Sequence, residues 1–445
     1  LIPMYFTTTN DIKKVLNTSK NIYHYQPIMK KFMFMLALGS VLFGLSACSS
    51  DDENIEGEST EGCVFIKLEN VVGPSSRMTE DPKLESDITE FHNGFIIFGT
   101  PKSAIRKHYE IVTDPKLLDK TDHVILLDEL RKGKTFKDIP GDVTNVAIIA
   151  NITEDEISPE EFHNGTLRFH NDVLNKIIYL ENQYKDNMSH VALYDMKPLE
   201  VTGGNAMSAT LELRPMCARL EIAKITPGPD IVEYQVDGIY LAGFYKQMYV
   251  SQISNREFWA SPDYDNADPA TELINFYTGY PYLVNTDIKA VKETMGEGDD
   301  AREVTAFYPE EDGKVWAFPF FGKYEPRNDT EHYGLRLIVK VSNLKVYLKD
   351  ENGDRHLRDV TAWDKEQGVP EEKAGIRYLN INGFVENYHD TQAEPVQFYN
   401  GNIYQVQNFE ITTQNLSDRI MPTDINVNIT VTVKAWSIKK VYPQI

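Results

Sequence analysis

The chain has few of the features that mark a disulfide-rich scaffold or a nucleic-acid-binding protein. Its 445 residues include 3 cysteines, which are too few for a disulfide framework to hold the fold together. Positive charge is also scarce, because 45 lysines and arginines stand against 67 acidic residues, and the formal net charge is −22. A surface this acidic repels phosphate groups, so nucleic acid and anionic lipid headgroups are poor partners.

Motifs that carry catalysis are absent as well. The sequence contains no phosphate-binding glycine loop, no HExxH or CxxC motif and no nucleophile elbow. Its 10 histidines are scattered, and none has another strong metal ligand at a suitable spacing. His92 and His163 each occur in a repeated pentapeptide, EFHNG, which we interpret as two similar turns. We therefore predict that the chain is not an enzyme and binds no cofactor or metal.

Two acidic segments, at 263–268 and 350–354, invite comparison with calcium-binding loops. An EF-hand loop needs oxygen ligands at its first, third and fifth positions and a glutamate at its twelfth. Ala267 occupies the fifth position of the first segment, and Thr361 occupies the twelfth position of the second. Solvated loops are the favoured interpretation, and a specific ion site is the alternative.

The segment from Met29 to Cys48 predicts export. Two lysines precede an apolar run from Phe32 to Phe43, and small residues come directly before Cys48. The apolar run is shorter than the roughly 20 residues that a membrane-spanning helix needs. The segment resembles a bacterial lipobox, which implies cleavage before Cys48, attachment of lipid such as palmitate to that cysteine, and anchoring to a membrane without crossing it. An ordinary secretory signal is the alternative.

These signals divide the N-terminal region into three parts. We expect residues 1–28 to be an over-extension of the reading frame, residues 29–47 to be a lipoprotein signal peptide and residues 48–62 to be a lipidated tether. The tether is rich in acidic residues and has no basic one, which is typical of a solvated, disordered segment. Acidic residues directly after a lipidated cysteine also resemble a surface-export signal, so we expect a surface-exposed location at the cell outer membrane.

The remaining sequence shows the period of two that is typical of half-buried strands. In residues 63–69, Val64, Ile66 and Leu68 alternate with other side chains. The runs at 94–99 and 143–152 are more continuously apolar and are expected to be buried more deeply, and further strands are predicted at 209–213 and 217–225. The closing strand is the most regular one, with an apolar face formed by Ile425, Val427, Ile429, Val431 and Val433.

Short helices are predicted among the strands, with a start at Ser158 and a helical segment at 171–180. The proline- and glycine-containing segment 225–229 is a strong chain break, so we place a domain boundary there, between residues 63–226 and residues 227–445. Many strands at short spacing, without βαβ alternation, predict an all-β protein of two tandem β-sandwich domains with short helical insertions.

Two further features keep alternatives open. Cys63 and Cys217 lie in predicted strands of the same domain, so one bridge and two unlinked core thiols are both compatible with the pattern. The aromatic residues form either part of a sandwich core, which is favoured, or a sugar-binding surface. These residues are Trp259, Phe276, Tyr277, Tyr280 and Tyr282.

Several motifs occur in an order that resembles the fimbrillin family. They are the lipobox with its acidic tether, a first strand followed by an arginine-containing loop, the run NVAIIAN at 145–151, the run LRPMCARLE at 213–221 and the closing VTVKAW at 431–436. The resemblance covers nearly all of residues 48–445. It implies two transthyretin-like β-sandwich domains, export as a lipoprotein and assembly into fimbriae, or pili.

The resemblance also implies proteolytic processing in the loop after the first strand. Arg77 occupies the place after which a trypsin-like protease cuts such subunits, and Met78 would then become the first residue. Met78 departs from the small residues that are usual there, and a loop arginine without a role is the alternative. Cutting after Arg77 would release the lipid, the tether and the first strand, and would leave an apolar groove with unpaired edges.

A strand from another subunit fills such a groove by donor-strand exchange. The closing segment, with its apolar face from Ile425 to Val433, is the natural donor. Because this head-to-tail contact does not close on itself, it builds filaments.

From these features we predict a structural subunit of surface fimbriae that supports adhesion. Its expected partners are other fimbrial subunits, the outer membrane through the lipid on Cys48, a processing protease, and a surface glycan or protein. A fimbrial anchor or tip subunit that is not polymerised is a close variant. The alternative from another class is a surface-exposed glycan-binding lipoprotein.

Overall fold

Strands account for most of the fold. A computed structural model describes residues 62–69, 90–101, 105–118, 123–153, 156–158, 161–162, 167–184, 188, 190–204, 206–252, 256–296, 298, 301–322, 334–350, 353–381, 383–385, 396–420, 428–430 and 432–435. The longest helix among these residues, Pro269–Tyr277, has 9 residues. None of the helices in these ranges has the length and apolar character needed to cross a membrane. The predicted all-β class with short helical insertions is confirmed.

The first half of the chain forms two sheets. In chain order its described strands are β1 (Gly62–Glu69), β2 (Asn93–Gly99), β3 (Ile105–Val112), β4 (Val124–Leu126), β5 (Lys134–Ile139), β6 (Asn145–Ala150), β7 (Ile177–Tyr179), β8 (Leu193–Pro198), β9 (Glu200–Gly203), β10 (Ala206–Glu212) and β11 (Arg214–Pro215). One sheet has the order β5-β1-β10-β9, and the other has the order β11-β8-β6-β2-β3-β4.

A hydrophobic core fills the space between these two sheets. Val64 and Ile66 of β1 belong to the same buried cluster as Ile96 and Phe98 of β2 and Ile148 of β6. The opposite face of the six-stranded sheet is buried too, because alternate residues of β2 and β6, such as Ile97 and Ile149, belong to a second cluster. Burial on both faces explains the nearly continuous apolar runs of β2 and β6 and confirms their predicted depth.

The second half contributes further sheets. Its described strands are β12 (Ala218–Ile222), β13 (Ile225–Pro227), β14 (Ile231–Ala242), β15 (Phe244–Tyr245), β16 (Gln247–Tyr249), β17 (Trp259–Ala260), β18 (Val284–Asn285), β19 (Ile288–Met295), β20 (Arg302–Pro309), β21 (Trp316–Phe320), β22 (Arg336–Lys349), β23 (Arg355–Asp359), β24 (Arg377–Ile381), β25 (Gly383–Val385), β26 (Asn402–Val406), β27 (Phe409–Ile411), β28 (Leu416–Ser417), β29 (Asn428–Thr430) and β30 (Thr432–Ala435). The larger sheets have the orders β21-β12-β26-β30, β19-β20-β13-β27 and β18-β14-β22-β24-β28, with β23 also paired to β22.

The second core, to which Ile97 and Ile149 of the first half also belong, lies among these sheets. It includes Leu220 of β12, Ile239 of β14, Phe318 of β21, Val339 of β22 and Tyr404 of β26. The long strands β14 and β22 run antiparallel along most of their length and are neighbouring interior strands of the largest of these sheets. Strands β22 and β23 pair antiparallel up to Lys349 opposite Arg355.

Helices and helical turns connect the strands. Among the elements that the structure bounds, the α-helices are Leu127–Lys132, Leu180–Gln183, Pro269–Tyr277 and Val360–Glu366. The 3-10 turns among them are Pro115–Leu117, Arg256–Phe258, Pro281–Leu283 and Thr413–Asn415, and Phe169–Leu174 is a π-helix. Asp268 caps the helix Pro269–Tyr277 by accepting a hydrogen bond from the Thr271 backbone N–H, and Asp359 caps Val360–Glu366 in the same way. In both helices an aspartate side chain satisfies a backbone N–H of the first turn, which is ordinary N-cap chemistry.

Three local predictions differ from the structure. The predicted helix at 171–180 is a π-helix that ends at Leu174, and residues 177–179 form β7, which pairs with β16. The stretch 258–284, for which no helix is predicted, contains the helix Pro269–Tyr277. The closing strand is divided, because β29 pairs with β25 whereas β30 pairs with β26 of another sheet.

Strand pairing changes partners ahead of the predicted boundary at 226 and 227. Up to β11, sheet partners lie in the first half, apart from β7, which pairs with β16. From β12 onward, the partners lie in the second half, again apart from the β16–β7 pair, and Ala218 already pairs with Phe320 of β21. The changeover therefore occurs between Pro215 and Ala218, and the division of the chain into two domains stays a prediction.

Several predicted sites fall outside the described residues. These are the signal peptide, Cys48 and the tether up to residue 61, the processing position at Arg77 and Met78, and the donor-face residues Ile425, Val427 and Val431. Most of the predicted helix start after Ser158 also lies outside them.

Candidate strand-exchange site

Strand β1 lies in the interior of its sheet, between β5 and β10. It pairs in parallel with β10 over Cys63–Glu69 and antiparallel with β5, where Val64 lies opposite Phe136. Because β5 is the edge strand of this sheet, β1 is its sole strand partner among the described elements. Removing β1 would therefore expose the edge of β10 and leave β5 without a ladder. We call the space that β1 occupies between β5 and β10 the β1 slot.

The inward side chains of β1 supply most of its attachment. Val64, Ile66 and Leu68 are 0%, 0% and 2% exposed and belong to the first core. Complete burial of one aliphatic side chain stabilises a fold by about 1.5–3 kcal/mol, so the three together contribute roughly 6 kcal/mol. An empty β1 slot would expose this apolar surface together with unpaired backbone groups. An extended segment with apolar side chains at alternate positions would restore both kinds of contact.

The outward face of β1 is attached less firmly. Phe65 is 36% exposed, and its ring lies over Gly133, which follows the helix Leu127–Lys132. Gly133 has a φ of +96°, and a Cβ atom added there would overlap the Phe65 ring. Lys67 and Glu69 form an ion pair of 2.8 Å on the exposed surface, which adds little to stability.

The closing segment is held at the periphery of its sheets. Strand β30 is the edge strand of its sheet and pairs with β26 over four residues, Thr432–Ala435. Strand β29 pairs in parallel with β25 in a two-stranded sheet. Of the predicted donor residues, Ile429 lies in β29 and Val433 lies in β30. Within the described residues, each of these short strands pairs with one neighbouring strand, whereas β1 pairs with two.

The aromatic residues considered for sugar binding pack against the second core. Tyr277 is buried, and its hydroxyl donates a hydrogen bond of 2.8 Å to the backbone carbonyl of Leu241. Phe276 and Tyr280 lie edge-on to the buried Phe244, with ring centroids 6.2 Å and 5.1 Å away. Tyr282 and Trp259 are partly buried against the same core. This packing agrees with the favoured interpretation of these residues as core.

The two acidic loops use their oxygens to fix turns. In the first loop, Glu272 accepts hydrogen bonds from the Asp263 backbone N–H and the Asn266 side chain, and Asp268 caps the following helix. In the second loop, Asp350 accepts a hydrogen bond from the Asp354 backbone N–H and pairs with His356. These contacts are those expected of solvated loops.

Buried charges join strands of the second half. Arg219 and Glu221 of β12 form a buried ion pair of 2.6 Å, and Gln405 of β26 donates a hydrogen bond of 2.7 Å to Glu221. Asp364 accepts two hydrogen bonds of 2.8 Å from the Arg377 guanidinium. Each carboxylate is satisfied by fixed donors, so these pairs hold strands and helices in place.

Cys63 and Cys217 are not joined by a disulfide. Cys217 is buried in the second core, whereas Val64, next to Cys63, belongs to the first. The placement of both cysteines in one domain stays a prediction. Burial raises the pKa of the Cys217 thiol to about 12, although the charge of Arg219 lowers it in part.

One cluster of side chains was not predicted from the sequence. Glu90, His92 and His190 lie together, and one ligand atom from each lies within 4.8 Å of the others. Sequence spacing gives no sign of this cluster, because His190 precedes β8 while the other two residues precede β2. Only the pairing of β2 and β8 with the intervening β6 brings the two segments together.

Comparison with known proteins gives structural likenesses alone. Neither a family model nor a curated protein matches the chain. Among solved structures, it is similar to a fimbrilin (fimA) from Porphyromonas gingivalis, with 11% identity, a TM-score of 0.48 and coverage of 85% of this chain and 98% of that one. A candidate cell adhesion protein from Bacteroides eggerthii gives 13% identity, a TM-score of 0.45 and coverage of 86% and 98%.

The tip fimbrial protein Mfa3 from Porphyromonas gingivalis gives 10% identity, a TM-score of 0.34 and coverage of 84% and 98%. The structural neighbours thus include the family that the sequence motifs resemble. With TM-scores below 0.5, these likenesses do not decide the function of this chain.

Proposed function

We propose that this chain is a structural subunit of surface fimbriae that supports adhesion. In this proposal it is exported to the outer membrane as a lipoprotein on Cys48, cut after Arg77, and polymerised by donor-strand exchange. The observation that carries the proposal is the position of β1, an interior strand with two ladders that directly precedes the loop containing Arg77. A cut in that loop separates β1 covalently from the rest of the fold while leaving the β1 slot fully formed around it.

The sequence of the loop supports a defined cut. Between the end of β1 and the start of β2, Arg77 is the sole arginine and Lys83 is the sole lysine. A trypsin-like protease therefore has two candidate bonds there. Gly73, Pro74 and the serines before Arg77 are residues that favour an accessible loop.

The closing segment is the proposed donor because detaching it disrupts little. Strands β29 and β30 are short, and among the described strands each has one partner. Its alternating sequence supplies apolar side chains at the spacing that Val64, Ile66 and Leu68 have in β1. When this segment leaves its own subunit, it loses pairing with one strand at the edge of its sheet. When it enters the β1 slot of the next subunit, it gains pairing with two strands and a buried position.

The first test is the N-terminal sequence and intact mass of protein sheared from the cell surface. We expect a start at Met78, no polymer from the Arg77→Ala variant, and normal processing of the matched Lys83→Ala variant. A sheared chain that still begins at acylated Cys48 would contradict the proposal and indicate an anchor subunit or a resident binding lipoprotein.

A second test addresses the donor. Val433→Asp places a charge on the apolar face of the closing segment, whereas Thr432→Asp places the same charge on its other face. We expect cleaved Val433→Asp subunits to remain monomeric and cleaved Thr432→Asp subunits to polymerise. Circular dichroism and thermal unfolding establish that each monomer is folded. Polymers of both variants would remove the closing segment as the donor.

A further inference from the structure

We propose that Glu90, His92 and His190 form a binding site for a divalent transition-metal ion of the zinc class. The rings of His92 and His190 lie in contact, with centroids 3.5 Å apart and planes inclined by 59°. The Nε2 atom of His92 lies 3.7 Å from a carboxylate oxygen of Glu90. Two imidazoles and one carboxylate are a ligand set that zinc accepts in proteins.

The spacing of the three groups is close to that of a coordination sphere. Ligand atoms about 2.0–2.1 Å from a tetrahedral ion lie about 3.4 Å from one another. The corresponding atoms here lie within 4.8 Å of one another, so small side-chain rotations bring them to coordinating distance. The side chains of Glu90 and His92 are 29% and 30% exposed, which leaves a path for an ion and room for a water molecule as the fourth ligand.

A single side chain fixes the two segments that carry these ligands. Asn151, which follows β6, accepts a hydrogen bond of 2.9 Å from the His92 backbone N–H through its Oδ1 atom. Its Nδ2 atom donates to the backbone carbonyls of Glu90, at 2.6 Å, and of Val191, at 3.1 Å. The backbone around each of the three ligands is thus held by one amide group.

The backbone of Asn151 strengthens this arrangement. Its φ is +57°, a conformation that asparagine adopts more readily than most other residues, and its N–H donates to the carbonyl of Asn93 at 2.9 Å. A site whose ligand-bearing backbone is fixed in advance loses less conformational entropy when an ion binds.

The site joins the segment that leads into β2 to the segment that leads into β8. Glu90 is the first described residue after the segment that contains Arg77, and His92 follows two positions later. A bound ion would tie the beginning of this segment to the six-stranded sheet, whether or not the loop is cut. The site is thus independent of the proposed strand exchange, and the role proposed for the bound ion is to stabilise the fold.

The test is zinc binding by the full chain, purified without a polyhistidine tag and freed of metal with a chelator. We expect equilibrium dialysis against ZnCl2 to give one Zn2+ per chain and zinc to raise the midpoint of thermal unfolding. The His92→Ala/His190→Ala variant is expected to lose at least about tenfold in affinity. The matched control is His123→Ala/His356→Ala, which removes two exposed histidines elsewhere and is expected to bind as the unchanged chain does.

Two further measurements keep the test decisive if the double variant folds poorly. Co2+ bound to the unchanged chain is expected to give the visible absorption bands of a tetrahedral ion with nitrogen and oxygen ligands, and Glu90→Gln is expected to alter them. Asn151→Ala keeps all three ligands, and its Zn2+ affinity is expected to fall by about tenfold because the ligands lose their fixed backbone. Absence of zinc binding by the unchanged chain, or equal binding by the site variant and the control variant, would overturn the proposal.

Discussion

Replacing Ile66 with alanine distinguishes a strand that is shed from a strand that is kept. Ile66 is 0% exposed at the centre of β1, with Ala209 opposite it on β10 and Lys134 opposite it on β5. Truncation of a buried isoleucine to alanine costs about 2–5 kcal/mol, depending on how far the surroundings collapse into the cavity. Ile66 lies between two sheets that are each fixed by ladders, so we expect little collapse and a loss of about 4 kcal/mol.

The loss is expected in the uncleaved chain and not in the filament. Denaturant unfolding of the Arg77→Ala chain, with and without Ile66→Ala, measures the effect on the precursor. Filaments assembled from cleaved subunits no longer contain Ile66 if β1 is shed, so their denaturant midpoint is expected to be unchanged. Lys67→Ala is the control, because this side chain lies on the outward face and its truncation is expected to change stability by less than about 0.5 kcal/mol.

The result that refutes the reasoning is an equal loss in both states. A filament weakened by Ile66→Ala as much as the precursor would show that β1 stays in place after assembly. An unchanged precursor would show instead that β1 does not occupy the β1 slot in solution.

The remaining predictions concern single contacts. Gly133→Ala combines a positive φ with a clash against Phe65, so we expect denaturant unfolding to show a loss of stability of about 1–3 kcal/mol in the uncleaved chain. Gly204→Ala is the control, because its added Cβ meets nothing within 4 Å. We expect it to cost about 1 kcal/mol through its positive φ alone. Burial raises the pKa of Asp364, but hydrogen bonds from Arg377 and the Gly375 N–H more than offset this and hold the pKa below its usual range. The stability that this pair contributes is therefore present above the ordinary aspartate pKa of about 3.9 and is lost as the pH falls through the folded value. We expect Asp364→Asn to lower the free energy of unfolding by about 3 kcal/mol at neutral pH and by less in acid. The Cys217 side chain is buried, and its thiol has a pKa of about 12. We therefore expect Cys217 to resist alkylation by iodoacetamide at neutral pH until the chain is denatured, which peptide mass analysis would show. Rapid labelling of the folded chain would contradict its burial.

Local patterns predicted the strands well where burial follows a simple period. Val64, Ile66 and Leu68 alternate with more exposed residues, and β1 has that alternation in the structure. The apolar runs of β2 and β6 also indicated their depth, because a strand covered on both faces has no polar face to interrupt the run. These predictions needed only neighbouring residues.

Features that depend on distant partners were missed or placed imprecisely. Residues 177–179 have helical spacing with their predecessors, yet pairing with β16 makes them a strand. The closing segment keeps its period of two, but sequence gives no sign that β29 and β30 join different sheets. By contrast, the helix Pro269–Tyr277 had a local signal, an Asp268 cap followed by proline, which the surrounding aromatic residues obscured.

The candidate sites divide in the same way. The burial of β1 could be predicted, but its position between β5 and β10 could not, because both ladders join residues far apart in the sequence. The cluster of Glu90, His92 and His190 could not be predicted from the sequence at all. It exists because β6 lies between β2 and β8 and because Asn151 then contacts the backbone of both ligand-bearing segments.

The two ladders of β1 also determine when exchange can begin. Withdrawal of β1 from an intact chain exposes three side chains that contribute roughly 6 kcal/mol, so on the order of 1 in 10⁴ molecules has an open β1 slot even before the ladder hydrogen bonds are counted. A cut after Arg77 removes the covalent link but none of these contacts, so we expect the fragment that contains β1 to remain bound to the cut monomer. Native mass spectrometry of the cleaved monomer is expected to show both pieces together, and denaturing conditions are expected to separate them. A cut monomer that loses the fragment at once would mean that an empty β1 slot is stable, and that the incoming strand is not needed to displace β1.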